Sequence, residues 1–116
     1  MDLGAAVGFK QHWFYILLAL AQGATHGAEI RRRVAEHTEG TLKMYPAMLY
    51  GSLEDLLDQG YITEIDERSG RPTGENERYR YYRLCLAGRK ALAAETRRLE
   101  QVTRIAREAM ASGRAT

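Results

Sequence analysis

Three histidines, one cysteine and a run of three arginines are the side chains whose chemistry this chain could put to use. His12, His26 and His37 stand at no motif spacing from one another, from Cys85 or from a carboxylate. Neither a nucleophile-base pair nor a metal cage can be assembled from that pattern, and no phosphate-cradling glycine loop occurs. A single cysteine excludes an internal disulfide and a cysteine-based zinc site. Cys85 itself fits a small buried residue at a strand-to-helix junction, with redox sensing as the minor alternative. Asp55 and Asp58 fit a solvated helix edge better than an acid/base pair. No catalytic residue, metal or cofactor is expected, and the chain is not expected to be an enzyme.

What remains is charge and shape. The net charge of +2 is too small to imply a polyanionic partner by itself. Its distribution is uneven: residues 46–60 hold three acids and no base, whereas residues 85–116 hold seven bases against three acids. A further basic run, Arg31-Arg32-Arg33, lies upstream. The stretch Pro46 to Gly60 has a proline suited to a first helical turn and a glycine suited to a stop. Between them Leu49, Leu53, Leu56 and Leu57 mark one helical face. The other face begins with Ala47 and Gly51, flanked by Met48 and Tyr50. Small residues there let a partner approach the backbone, as a helix entering a DNA groove requires; an ordinary core helix fits the same pattern.

The elements that must hold this stretch follow from periodicity. With 28% charged and 45% hydrophobic residues in 116, a single globular domain with a modest core is expected. The longest apolar run, Trp13 to Ala21, is nine residues, well short of the ~20 of a membrane span. Neither a membrane segment nor a leader peptide is recognised, so a cytoplasmic location is expected. Trp13, Ile16, Leu17 and Leu20 predict a first helix over about 10–22, with Phe14 and Leu18 widening its apolar face toward a partner. Thr25 is the expected N-cap of a second helix from His26 to about His37, with the arginine run pointing outward. Residues 61–68 and 78–84 predict a β-hairpin, joined by the turn cluster from Ser69 to Gly74. Residues 87–110 predict one long helix whose Leu92, Leu99, Val102, Ala106 and Ala109 recur at threes, fours and sevens. At roughly 35 Å it outreaches a domain of this size, which points to pairing with a second copy.

Helices followed by a two-stranded wing give a mainly α architecture, a winged helix-turn-helix plus a long C-terminal helix. The residues resemble those of the PadR family of transcriptional regulators. His26-Gly27-Ala28-Glu29-Ile30 is similar to the family's His-Gly-Tyr-Glu-Ile. Leu49-Tyr50-Gly51-Ser52-Leu53, with Gly60-Tyr61-Ile62, resembles its third-helix signature and exit. Tyr81-Tyr82-Arg83-Leu84 resembles the second wing strand, and Gly88-Arg89-Lys90-Ala91-Leu92 the opening of the dimerisation helix. The likeness spans about residues 10–110, and the single C-terminal helix is similar to the small-subfamily members.

The resemblance implies a DNA-binding unit over 1–84 and a dimerisation helix over 85–116. It implies a homodimer, a repressor by expectation, on a palindromic double-stranded operator, with an effector acting through the spacing of the two recognition helices. Together with the geometry it nominates Lys43, Tyr45, Ala47, Met48, Tyr50 and Gly51 at the groove and Arg31 and Arg32 along the backbone. Arg71, Arg78 and Arg80 are nominated from the wing. Trp13, Leu17, Leu92, Leu99, Val102 and Ala106 are the dimerisation candidates. Phe9, Trp13 and Phe14 are those for a small planar hydrophobic effector, since the last helix has no aromatic residue.

The sequence departs from the pattern at four places, six residues in all. Ala47-Met48 lacks the usual hydroxyl, Glu54-Asp55 replaces basic residues, Cys85 replaces a capping threonine, and Ala28 replaces a tyrosine. The acidic edge of Glu54, Asp55 and Asp58 motivates a rival reading, a winged helix serving as a protein-interaction module. A sensor of planar hydrophobic compounds is a third.

Overall fold

The computed structural model describes residues 9–65 and 80–113. Four helices and three short strands follow in the order α1 (Gln11–Ala21), β1 (Thr25–His26), α2 (Gly27–His37), α3 (Pro46–Asp58), β2 (Ile62–Ile65), β3 (Tyr81–Leu84) and α4 (Leu86–Ala111).

Each helix of the N-terminal trio buries one stripe. Ile16, Leu17 and Leu20 of α1, Ile30 and Val34 of α2, and Leu49, Leu53 and Leu56 of α3 meet in one core. Ile62, Tyr82 and Leu84 of the sheet close it from the side. The third helix begins and ends where its sequence says it should. Pro46 occupies its first turn, where no N–H is needed. At its other end Gly60 takes φ +75°, and the Tyr61 and Gly60 amides donate to Leu56 O at 3.1 Å and Leu57 O at 3.0 Å. That pair of bonds is the Schellman arrangement, and it turns the chain straight into β2.

The sheet has one strand more than the two-stranded wing that the sequence suggests. Its order is β1-β3-β2, all antiparallel, with Thr25 opposite Tyr82 and Ile62 opposite Leu84. The expected cap of the second helix shifts in consequence. Thr25 is buried in the strand, and His26 is the N-cap, its Nδ1 accepting from the Glu29 amide at 3.3 Å. Residues 66–79, where the sequence places the turn cluster and the adjoining strand ends, lie outside the described residues.

Cys85 is the N-cap of α4; its side chain makes no capping bond, but its amide donates to Tyr61 O at 2.9 Å. The first turns of the helix pack on the core through Ala91 and Leu92, with Glu95 buried beside them. Beyond Thr96 every described residue is exposed. At 26 residues the helix is about 39 Å long, so more than half of it stands clear of the domain.

Candidate nucleic-acid interface

With its leucines inward, α3 turns Tyr45, Ala47, Met48, Tyr50 and Gly51 to solvent. Ala47 and Gly51 lie along the middle of that face, and a Cβ added to Gly51 would meet nothing within 4 Å. Met48 flanks them on one side and Tyr50 on the other, about half exposed each. Ser52 contributes no outward hydroxyl, because its Oγ is buried and donates to Met48 O at 2.7 Å. The Ala47 and Met48 amides belong to the first turn and have no partner within the helix.

Tyr50 combines two roles between which its sequence position leaves the choice open. Its ring is 47% exposed, yet its hydroxyl sits against Gly27 at the start of α2. A Cβ at position 27 would come within 2.8 Å of that hydroxyl. The glycine of the His26-Gly27 pair therefore lets α3 brace against the head of α2. The imidazole of His26 meets Tyr81 edge-on, with centroids 5.4 Å apart.

The arginine run does not point outward as a block. Arg32 does, but it is held by Glu29 through two bonds of 2.7 and 2.8 Å and by Glu36 at 3.0 Å. Arg33 turns inward instead. Its guanidinium donates to Ala19 O at 2.9 Å, Gly23 O at 2.8 Å and Glu29 at 3.0 Å, closing the C-terminal end of α1. Hydrogen bonds from Arg32, then from Arg33, hold the Glu29 carboxyl down to a pKa of about 2. Arg31 and Lys43 have no ion pair among the described residues. Both line a cleft of about 330 Å³ between α2 and the approach to α3, with Ala28 and Tyr45.

The acidic edge is largely answered within the chain. Asp55 pairs with Lys10 at 3.5 Å. Arg80 holds Glu64 through bonds of 2.9 and 3.0 Å, lies 3.8 Å from Glu54, and sits 5.7 Å from the Tyr82 ring. Arg80 thus ties the root of the wing to α3 rather than standing free. Arg71 and Arg78 lie outside the described residues.

Two dimerisation candidates need correction. Leu17 is fully buried and Trp13 is 5% exposed, both within the chain's own core, so neither offers surface to a second copy. Leu92 is half-buried against that core, whereas Leu99, Val102 and Ala106 are exposed. Ile105 and Met110 are also exposed, an apolar flank that the heptad reading passed over. The same seam carries Glu95, buried and bonded to Arg98 at 2.7 Å through both oxygens.

Of the effector candidates, Phe9 and Phe14 line a cavity of about 340 Å³ between α1 and α4, together with Tyr15, Glu95 and Leu99. Phe14 also borders a shallower groove of about 510 Å³ that runs along α4 past Leu99 to Arg107. Trp13 lines neither; it is packed edge-on between Phe9 and Tyr61, with centroids 5.7 and 6.4 Å away. His12 is partly buried, which with the Lys10 charge lowers its pKa. No group of His, Cys, Asp or Glu among the described residues could hold a metal ion, and no described helix is long and apolar enough to cross a membrane.

Two functional features escape a residue-by-residue reading of the sequence. Glu29 organises both Arg32 and Arg33, and its signal is only the three- and four-residue spacing of helical ion pairs. The Gly27–Tyr50 contact has the weaker signal of a glycine immediately inside a helix start.

The profile of the transcriptional regulator PadR-like family matches residues 16–94. No match is found among curated proteins. Among solved structures, a transcriptional regulator from Clostridium thermocellum is 24% identical with a TM-score of 0.67, covering 83% of this chain and 89% of its own. RosR of H. salinarum is 21% identical with a TM-score of 0.60, over 90% of this chain and 96% of its own. Bacillus subtilis PadR, solved in complex with operator DNA, is 22% identical with a TM-score of 0.60, over 75% of this chain and 47% of its own. These likenesses show a shared winged helix-turn-helix fold.

Proposed function

The chain belongs to the PadR-like family of transcriptional regulators, and from that premise we propose that it is a DNA-binding repressor that sits as a homodimer on a palindromic operator. One observation carries the reading: the exposed, low-relief start of α3 is flanked by Arg31 and Lys43, which make no ion pair with any described residue. A helix so presented fits a major groove, and those two cations, on one cleft beside it, fit the phosphates along one edge of that groove. That Bacillus subtilis PadR was solved in complex with operator DNA supports DNA as the partner. Tyr45 offers a hydroxyl at the groove margin, whereas Tyr50 keeps its own against Gly27, and Arg32 adds charge already shared with Glu29 and Glu36.

In the proposed dimer the part of the chain from residue 85 onward is the pairing helix. Leu99, Val102 and Ala106 present an apolar seam that no described residue of the monomer covers. The two α3 helices would then enter successive major grooves ~34 Å apart. An effector between Phe9 and Phe14 would wedge between α1 and α4 and change that separation, a shift of population between two spacings. The acidic edge gives the protein-interaction reading little, because Lys10 and Arg80 already face Asp55 and Glu54.

Gel shifts against the chain's own upstream region, at low and moderate salt, test the proposal. Sequence-selective binding that weakens with salt is expected. Arg31→Ala and Lys43→Ala should each lower the slope of log K against log salt by about 1. Binding without sequence preference under both conditions refutes it. Sedimentation of a Val102→Asp variant tests the dimer, which should dissociate.

A further inference from the structure

We infer that α3 reads its operator chiefly through thymine methyl groups, using Met48 and Ala47. The inference rests on the DNA-binding reading above and adds to it the class of base edge recognised.

What the groove-facing side chains can offer decides this. Reading a base pair by paired hydrogen bonds takes Arg, Lys, Asn, Gln, Asp or Glu aimed at the groove. Over the first two turns of α3 the exposed residues after Pro46 are Ala47, Met48, Tyr50 and Gly51. Three of these four carry no hydrogen-bond donor in their side chains. The fourth, Tyr50, has its hydroxyl against Gly27. Ser52 is turned inward. The first carboxylate along that face, Glu54, lies beside Arg80. Arg31 and Lys43 sit on the flanking cleft, where they suit phosphates, which carry no sequence information.

Tyr45, before the first turn, lines the same flanking cleft as Arg31 and Lys43, so apolar contact is what the face of α3 itself has left with which to discriminate. In the major groove, only thymine presents a methyl group. Open space at Gly51 and the small side chain of Ala47 allow the helix backbone to come close to the base edges. Met48, 43% exposed and flexible along its thioether, can then lie over a methyl from the flank.

The expected signature is small and additive. Burying one methyl changes affinity by about fourfold, so selectivity accumulates over several thymines rather than at one base. The experiment selects duplexes from a random library at low salt and then replaces each thymine of the selected site singly with uracil. Uracil keeps every hydrogen-bonding group and loses only the methyl. Binding weaker by about three- to fivefold at one or more positions in each half-site is expected. Met48→Ala, checked for folding by thermal melt, should remove the sensitivity at one of them. Uracil duplexes that all bind within about twofold of the parent overturn the inference and leave DNA binding standing. Failure to recover any bound duplex takes down the DNA-binding reading and the inference with it. The uracil series uses the unaltered protein, so its outcome does not depend on a variant that folds.

Discussion

Alanine at position 88 sets two well-understood effects against each other, and the structure decides the sign. Gly88 lies in the first turn of α4, where helix propensity favours alanine over glycine by up to ~1 kcal/mol. The glycine, however, rests on the backbone of Tyr61. A Cβ there would lie 2.1 Å from Tyr61 O, 2.6 Å from Leu84 Cδ1 and 3.0 Å from Tyr61 C. A carbonyl oxygen is not the end of a flexible side chain, so the helix start has to withdraw by close to an ångström. That withdrawal strains the packing at a cost of about 1–3 kcal/mol. It also pulls at the Cys85 amide, which donates to the same oxygen at 2.9 Å, worth about 1 kcal/mol more. Less the propensity gain, the net loss is about 1–3 kcal/mol, or a melting temperature lower by roughly 5–20 °C. Circular dichroism melts at two protein concentrations measure it, since pairing of α4 would couple stability to concentration. Gly51→Ala is the control: open space surrounds it, so propensity acts alone and the melt should rise. A Gly88→Ala variant that melts at or above the parent, alongside a raised Gly51→Ala, would refute the steric argument.

Two more outcomes follow from the arginine run. Arg33→Ala should cost about 2–3 kcal/mol in urea unfolding, because two carbonyls at the end of α1 lose a charged donor, whereas Arg31→Ala should stay within about 0.5 kcal/mol; equal costs would show that Arg33 is not the brace described. The Glu29 carboxyl is held at about 2, below its ordinary 4.5, so its contribution is complete above pH 4.5 and is lost as pH falls from there toward 2. The urea midpoint should therefore drop more between pH 6 and pH 3 in the parent than in Glu29→Gln, and matching drops would contradict the assignment.

The third helix was legible because its limits are written locally. Pro46 and Gly60 are each suited to one helical end, and the leucine spacing fixes the buried face whatever the rest of the chain does. The first strand was illegible for the opposite reason. Thr25 and His26 carry no strand pattern; they are extended because Tyr82 and Tyr81, far along the sequence, supply the pairing partners. Moving Thr25 into that strand leaves the capping role to His26, whose place at the helix start already suited it to capping or packing rather than to metal binding. The assignment of Trp13 and Leu17 to a dimer failed on the same kind of non-local fact. A helix apolar over most of its circumference does not say which side its own core will take. Here Trp13 and Leu17 lie in the chain's own core, with Trp13 against Phe9 and Tyr61, and Phe14 lines the cavity beside α4.

Charge at the proposed interface obeys a similar logic, and it changes what the acidic substitutions mean. Read along the sequence, Glu54-Asp55 set two anions on the helix expected to meet DNA, which argues against a polyanion. In the structure each is faced by a cation from another element, Arg80 from the start of β3 and Lys10 from the head of α1. Exposed pairs of this kind contribute little to stability. Their effect is on the field: they bring the C-terminal half of α3 nearer to neutral and leave Arg31 and Lys43 to set the sign at its N-terminal flank. Attraction is thereby confined to the end of the helix where the side chains are smallest and the first-turn amides face outward. Losing Arg80 should for that reason harm DNA binding less through any contact of its own than by releasing Glu54 and Glu64. Arg80→Ala combined with Glu54→Gln should then recover part of the affinity that Arg80→Ala loses. A direct phosphate contact by Arg80 predicts no recovery.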